Sequence, residues 1–553
     1  MAQCAGVPTT PPANLDPRSA VTAVTAVTAV TPGIVVTGVT LDSRATRSGD
    51  LYAALPGANV HGARFAGAAI ALGAVAVLTD PAGAALISQG EVNVPVLVIP
   101  EPRAVLGEVS ALIYGRASQE LTMLGLTGTN GKTTTAYLLD SALRALGRTT
   151  GLIGTVETRI GKDRVKSGRT TPESADLHAL FAVMLESGVD TCTMEVSSHA
   201  LALHRVDGVR YDVVAFTNLS QDHLDFHGSM EDYYLAKASL FIPERAVRAV
   251  VCVDDIWGQR LALESGVPVV TISSRAEVAA DWQIQTPHLS TGPDESAFEL
   301  VGEGLRLSMR SALPGDFNRV NTGVAALVLL AAGHPIDAIA AALAADPQVP
   351  GRMEKVLIAG NHGADQAADQ ERMPLAVVDF AHTPVAVAAA LEALRHTTRG
   401  SLIAVLGAGG ARDPGKREAM GAAAAANADV VIVTDDNPRS EDPATIRAAV
   451  LAGAIGQAGA MPSPAGRIRE IGDRASAIDE AVRGAGAGDT VVVLGKGHES
   501  GQEIAGVVHP FDDREHLRAA LVQHLASEES IAPGESIPME PNAAEITASG
   551  EVR

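Results

Sequence analysis

The sequence predicts an α/β fold in three domains. Three observations lead there. The chain has 553 residues, and a soft prior of ~150 residues per domain gives three or four units. Short β-branched runs alternate with helical stretches along its length, the pattern of sheets covered by helices. Most of these strand-like runs end in Gly or a polar residue.

Composition narrows the function. Lys+Arg is 42 against Asp+Glu 64, a net charge of −22. Gripping a nucleic-acid backbone needs a dense basic surface, so this charge disfavours nucleic acid, and none is expected as a partner. Cys4, Cys192 and Cys252 stand far apart. A disulfide framework or a Cys-based zinc site is therefore not expected, and a reducing cytoplasm fits. Aromatics are 3%, so the cores must be built from Val, Leu, Ile and Ala. No uninterrupted apolar run reaches the ~18 residues a membrane span needs. Residues 21–31 read VTAVTAVTAVT without a basic segment before them; residues 1–33 are read as a disordered extension rather than an export signal.

The elements follow in order. Residues 34–118 carry the runs IVVTGVT, DLYAALPG, AVAVLTD and VPVLVIP, a small α/β domain. Residues 119–350 open on LTMLGLTG and continue through TCTMEVS, DVVAFTNLS, AVVCVDD and PVVTISS. Continuous apolar strands between helices predict a parallel sheet buried on both faces. Pro350-Gly351 suits a hinge. Residues 351–527 repeat the style in LAVVDFAH, LIAVLGAGG, DVVIVTDD and TVVVLGKGH, a Rossmann-like domain, with 360–372 as a surface loop. Residues 528–553 are acidic and Pro/Gly-containing, read as a disordered tail. In open α/β sheets ligands bind beyond the carboxyl ends of strands, so function is sought there.

The first such end is LTMLGLTG followed by Thr129, Asn130, Gly131, Lys132, Thr133 and Thr134, then apolar positions Leu138, Leu139, Ala142, Leu143 and Leu146 at helical spacing. Strand, Gly-rich turn and helix make a phosphate cradle. Lys132 would reach the β/γ-phosphates and the Thr133 hydroxyl would hold Mg²⁺. Gly128 stands two residues nearer the lysine than the general P-loop glycine, giving GxxGKT. The central unit is thus a P-loop ATPase domain. Glu195 ends the next strand, an oxygen donor suited to Mg²⁺. Asn218 to Gly228 (NLSQDHLDFHG) puts two His and two Asp in one segment after another strand.

TGTNGKTTT, EVSSHAL, NLSQDHLDFHG, LPGDFNRVN and PGRMEKV occur in the order seen in Mur ligases, and the resemblance covers about residues 34–525. It implies an ATP-dependent amide ligase of peptidoglycan precursor synthesis that works through an acyl phosphate. It further implies catalytic roles for Lys132, His223 and Lys237, the last as a carbamate helping Thr133 and Glu195 hold metal. For ATP it implies Gly128, Thr129, Asn130, Gly131, Lys132, Thr133, Thr134, Asn318, Arg352, Asp379 and His382, with Asn321 as a further candidate. For the UDP-muramoyl-dipeptide it implies Leu41, Ser43, Ala58, Asn59, Val60, Arg169, Thr170, Thr171, Ser197, Leu203 and Arg205. Leu203 stands where some relatives have Gln, and Phe380 where Tyr is usual.

In the third domain DDNPR and GKGHE resemble the members that add meso-diaminopimelate to UDP-N-acetylmuramoyl-L-alanyl-D-glutamate. That implies an amino-acid pocket of Arg412, Asp436, Asn437, Pro438, Arg439, Gly495 and Glu499. Arg439 offers a bidentate fork for the second carboxylate that lysine lacks. L-lysine addition, a folylpolyglutamate synthase and, from another class, a P-loop switch or transporter ATPase are the alternatives. The expected cofactors are ATP and Mg²⁺, the expected partners are small molecules, and the expected state is a cytoplasmic monomer.

Overall fold

The computed structural model describes residues 28–29, 33–57, 59–90, 92–286, 296–358, 372–411, 413–458 and 467–531. Three principal sheets follow one another along the chain, each in its own domain. The first has four parallel strands, Gly38–Thr40, Asp50–Ala54, Ala76–Thr79 and Val96–Val98, in sequential order. Every residue of Asp50–Ala54 is buried, as a strand covered on both faces requires.

The second sheet has 11 strands. Thr122–Thr127, which feeds the glycine-rich loop, lies between Thr191–Glu195 and Tyr211–Phe216, parallel to both. This parallel core extends to Thr150–Ile153 on one side and to Ala246–Cys252, Val269–Ser273 and Trp282–Gln285 on the other. Antiparallel strands Glu157–Ile160 and Asp163–Lys166 close one edge, and Ala297–Gly302 and Leu305–Arg310 the other. The expected parallel sheet is therefore mixed at its margins. The edge hairpins need no crossover helix, so short connections suffice there. Two apolar cores sandwich the sheet. One packs Leu177, Phe181 and Met184 of helix Ser174–Glu186; the other packs Leu138, Leu139 and Leu143 of helix Lys132–Ala145.

The third sheet has six strands. Leu375–Asp379, Thr490–Leu494, Leu402–Leu406, Val430–Val433 and Ile468–Glu470 run parallel, and Glu354–Lys355 pairs antiparallel at the edge. Helices cover both faces, so Leu402–Leu406 and Thr490–Leu494 are buried throughout.

Two expected tails meet the described residues. Thr28–Ala29 pairs antiparallel with Val35–Val36, so the supposed N-terminal extension contributes a strand. The last helix, Asp513–Ile531, continues four residues into the supposed tail, because its helical pattern does not stop at residue 527. The remainder of residues 1–32, loop residues 360–371 and residues 532–553 lie outside the described residues. Among the described residues, no helix is long and apolar enough to cross a membrane.

Candidate active site

The loop after Thr122–Thr127 is shaped by two glycines in left-handed backbone, Gly128 at φ +145° and Gly131 at φ +89°. A Cβ on Gly128 would stand 2.0 Å from Thr217 Oγ1, and one on Gly131 2.4 Å from Asn321 Oδ1. Both approaches exclude a side chain. The segment at Thr217–Ser220 buttresses the loop. Asn218 Oδ1 accepts from Asn130 N at 3.0 Å, Thr217 Oγ1 donates to Asn130 O at 2.6 Å, and Ser220 N donates to Thr129 Oγ1 at 3.0 Å.

Lys132 begins its helix, where backbone N–H groups and the helix dipole favour an anion. Its ammonium donates to Gly128 O at 2.8 Å and Thr129 O at 2.9 Å. The protein packed around it lowers its pKa, against the opposing pull of Glu195 and Asp222. Thr133 Oγ1 donates to Glu195 Oε2 at 2.9 Å. Thr155 N and Oγ1 donate to the same carboxylate at 2.8 and 3.0 Å. A hydroxyl and a carboxylate thus share one point at two adjacent strand ends, a donor set of the type Mg²⁺ uses together with phosphate oxygens. Thr134 is buried behind them.

Lys237 is only 1% exposed, its Nζ 2.8 Å from Gly128 O and 4.8 Å from the Tyr233 ring centroid. Burial, and secondarily the charge on Lys132, push its pKa well below that of an ordinary lysine. His223 occupies left-handed backbone at φ +54°. Desolvation and neighbouring cations hold it at about 4, so its imidazole is neutral at pH 7, despite Asp222 at 3.5 Å. His199, His227, Phe226 and Tyr233 surround it or one another in ring contacts.

The third domain closes over this cradle. Arg352 Nη2 lies 3.4 Å from Thr133 Oγ1 as donor, and its guanidinium stacks on Phe380 at 4.3 Å. Phe380 thus holds a cation–π contact that needs no hydroxyl. Asp379 sets this geometry. Its carboxylate accepts from Met353 N at 2.7 Å and Ala381 N at 2.8 Å, while burial raises its pKa. Those bonds make Asp379 an anchor of the Arg352 turn. Gly351, at φ +63°, packs so tightly against His498 N that a Cβ would lie 2.1 Å away. His382 Nε2 is 3.8 Å and Lys416 Nζ 3.9 Å from Asp222, which joins both domains. Asn318 donates to Pro314 O and accepts from Asn321, so it shapes the helix start facing Gly131.

In the third domain Asp436 Oδ1 is buried without a hydrogen bond among the described residues, 3.7 Å from Lys496 Nζ. Asn437 bridges Lys496 and Glu499 at 3.0 and 2.8 Å. After Pro438, Arg439 takes φ +53° and donates to Gly410 O at 2.7 Å. Gly495, at φ +116°, admits the Asp436 carboxylate; a Cβ there would be 2.9 Å from Asp436 Oδ2.

Profiles described as Mur ligase family, catalytic domain, Mur ligase middle domain, and Mur ligase, glutamate ligase domain match residues 35–114, 126–329 and 366–497. The UDP-N-acetylmuramoyl-L-alanyl-D-glutamate–2,6-diaminopimelate ligase of Streptomyces avermitilis is 53% identical over 88% of this chain and 93% of its own. The chain belongs to the Mur ligase family. The ligase of the same name from Corynebacterium glutamicum is 47% identical over 89% of this chain and 92% of its own. A solved structure of a UDP-N-acetylmuramoyl-L-alanyl-D-glutamate–2,6-diaminopimelate ligase superposes with TM-score 0.59 at 32% identity, covering 89% of this chain and 96% of that one. The MurF ligase of Thermotoga maritima shares the fold at TM-score 0.58 and 18% identity, covering 89% and 98%.

In this Mur ligase the remaining candidates fall into two groups. Leu41 and Ser43 follow strand Gly38–Thr40, and Asn59 and Val60 follow its neighbour Asp50–Ala54, so both sets stand at one end of the first sheet. Thr170, Thr171 and Ser197 gather at the end of Thr191–Glu195: Thr171 Oγ1 donates to Glu195 O at 2.9 Å, and Thr170 Oγ1 is 3.1 Å from Thr155 Oγ1. Arg169 and Arg205 both pair with Glu173 at 2.9 Å, and the Leu203 carbonyl accepts from Arg103 at 3.4 Å. Ala58 and Arg412 lie outside the described residues. Sequence reasoning gave no role to Thr155, Asp222, Lys416 or Lys496. Asp222, Lys416 and Lys496 lie in the segments NLSQDHLDFHG, GAGGARDPGKRE and GKGHE; Thr155 carries no local signal.

Proposed function

We propose that this Mur ligase is an ATP-dependent amide ligase that adds meso-diaminopimelate to UDP-N-acetylmuramoyl-L-alanyl-D-glutamate in peptidoglycan precursor synthesis, working as a cytoplasmic monomer. The observation that carries this is the reach of Arg352, which opens the third domain, to Thr133 in the phosphate loop. With Gly351 packed on His498 and Glu499 bonded to Asn437, it supports a phosphate cradle and DDNPR pocket that face one cleft. The naming of the relatives at 47–53% identity supports the same substrate.

ATP would lie on the amides of Gly128 to Thr134, with Lys132 neutralising charge on the transferred phosphoryl. The D-glutamate carboxylate takes that phosphoryl and ADP leaves. The amine of the incoming amino acid then attacks the acyl carbon, inorganic phosphate departs, and an amide remains. Such chemistry needs positioning and charge neutralisation rather than an enzyme nucleophile. Mg²⁺, held by Thr133 and Glu195, would neutralise phosphate charge. Burial lowers the proton affinity of the Lys237 amine and so favours the uncharged form, which would add CO₂, release one proton and become a carbamate anion, a further oxygen donor. Neutral His223 would act as a hydrogen-bonding group rather than a cation. Asp436, whose buried Oδ1 lacks a hydrogen bond among the described residues, suits the substrate ammonium, and Arg439 its distal carboxylate.

We further take residues 34–118, 119–350 and 351–527 as the nucleotide-substrate, ATP and amino-acid domains. The test is incubation with UDP-N-acetylmuramoyl-L-alanyl-D-glutamate, ATP–Mg²⁺ and either meso-diaminopimelate or L-lysine, with product mass measured. A tripeptide product with diaminopimelate and none with lysine is expected. A lysine product of equal yield refutes the amino-acid assignment, and ATP turnover without amide product refutes the ligase reading.

A further inference from the structure

Three guanidinium groups meet at one carboxylate where the first and central domains touch. Glu173 Oε1 lies 2.9 Å from both Arg205 Nε and Arg169 Nη1, and its Oε2 accepts from Arg103 Nη1 at 2.8 Å. Glu173 is the N-cap residue of helix Ser174–Glu186, yet its side chain makes no capping bond there; the carboxylate is directed to the arginines. Arg103 comes from the first domain, in the first turn of helix Pro102–Ile113. That helix sits against the central domain at Gly107, where a Cβ would lie 2.3 Å from Asp207 O. Arg205 also reaches toward Thr171 O at 3.5 Å, and Thr171 bonds Glu195 O, so the cluster abuts the metal-candidate strand end.

Three like charges repel unless a counter-charge holds them, and one carboxylate leaves two positive charges uncompensated within the cluster. We propose that Glu173 is a positioning residue that holds Arg103, Arg169 and Arg205 as one preorganised anion site for the nucleotide substrate, with Arg103 a substrate-positioning residue supplied by the first domain. This rests on the substrate proposed above. Preorganised guanidinium forks bind carboxylate and phosphate without the cost of being ordered on binding.

The test varies UDP-N-acetylmuramoyl-L-alanyl-D-glutamate at saturating ATP and diaminopimelate, in the full-length chain and its E173Q, E173D and R103Q variants. E173Q is expected to raise the KM for the nucleotide at least ten-fold while the KM for ATP stays within two-fold. E173D should recover part of the loss, and R103Q should raise the same KM at least three-fold. A nucleotide KM that is unchanged in R103Q and in any folded E173Q overturns the proposal. So does a KM lowered in E173Q, which would make Glu173 a competitor of the substrate, or a loss shared equally by all three substrates. A wild-type chain that makes no product from this nucleotide overturns the substrate reading, and the proposal with it.

Discussion

Replacing Lys132 by Met separates catalysis from folding. The substitution keeps the aliphatic stem and removes the ammonium, which now donates to Gly128 O and Thr129 O. Two hydrogen bonds from a charged group are lost, each worth ~1.5–3 kcal/mol. Against that, the variant no longer holds a cation in a site that disfavours it. It also relieves repulsion, because Arg352 lowers the Lys132 pKa and Lys132 lowers that of Lys237. The two effects oppose each other, so stability should change by no more than ~2 kcal/mol, within the usual range of single substitutions. Catalysis has no such offset. Removing one preorganised group from developing charge costs ~10²–10³ in kcat, or ~3–4 kcal/mol of barrier. Phosphate release and tripeptide mass would be followed together, with urea unfolding as the check on folding. A Lys132→Met protein that unfolds like wild type yet keeps a tenth or more of kcat refutes the phosphate-loop assignment.

Three other outcomes are expected. Arg439→Ala should raise the KM for diaminopimelate at least ten-fold and that for ATP less than three-fold in initial-rate kinetics; equal rises would remove Arg439 as the amino-acid reader. Lys237→Arg, which cannot form a stable carbamate, should lose at least ~10² in kcat, and wild type in CO₂-depleted buffer should lose activity that bicarbonate restores. Indifference to CO₂ would contradict the carbamate. His178 is fully enclosed, bonded through Nε2 to Asp207 O at 3.0 Å, and burial holds its pKa at about 4. The unfolded chain therefore binds a proton near pH 6.5 that the folded chain refuses. Stability is complete above that pH and declines as pH falls toward 4, by ~2 kcal/mol at pH 5. Urea unfolding of His178→Gln should show a correspondingly shallower decline between pH 7 and 5, and an unaltered slope would refute the assignment.

Local order was legible in the chain. Strand–loop–helix at 122–145, the acid ending Thr191–Glu195 and the DDNPR turn each rest on residues adjacent in sequence, where backbone geometry and periodicity are enough. Even the left-handed glycines of the phosphate loop belong to that class. The edge hairpins that make the central sheet mixed were not legible, because antiparallel pairing there depends on which strand lies alongside. Phe380 shows the same division: its missing hydroxyl was visible in the sequence, but its stacking on Arg352 was not.

What the sequence alone determined was therefore the α/β class, the domain order and the chemistry-bearing motifs, each encoded over short spans. Only the tertiary structure decided how they meet. It brought Arg352 to Thr133 across 219 positions and set Glu173 between arginines up to 70 positions away. It also buried Lys237 beside Lys132, so that a lysine ordinary in sequence has its proton affinity lowered by desolvation and by its neighbour's charge. The reason is physical: desolvation and charge coupling act through distances in space, and those distances exist only after the sheets and helices have packed.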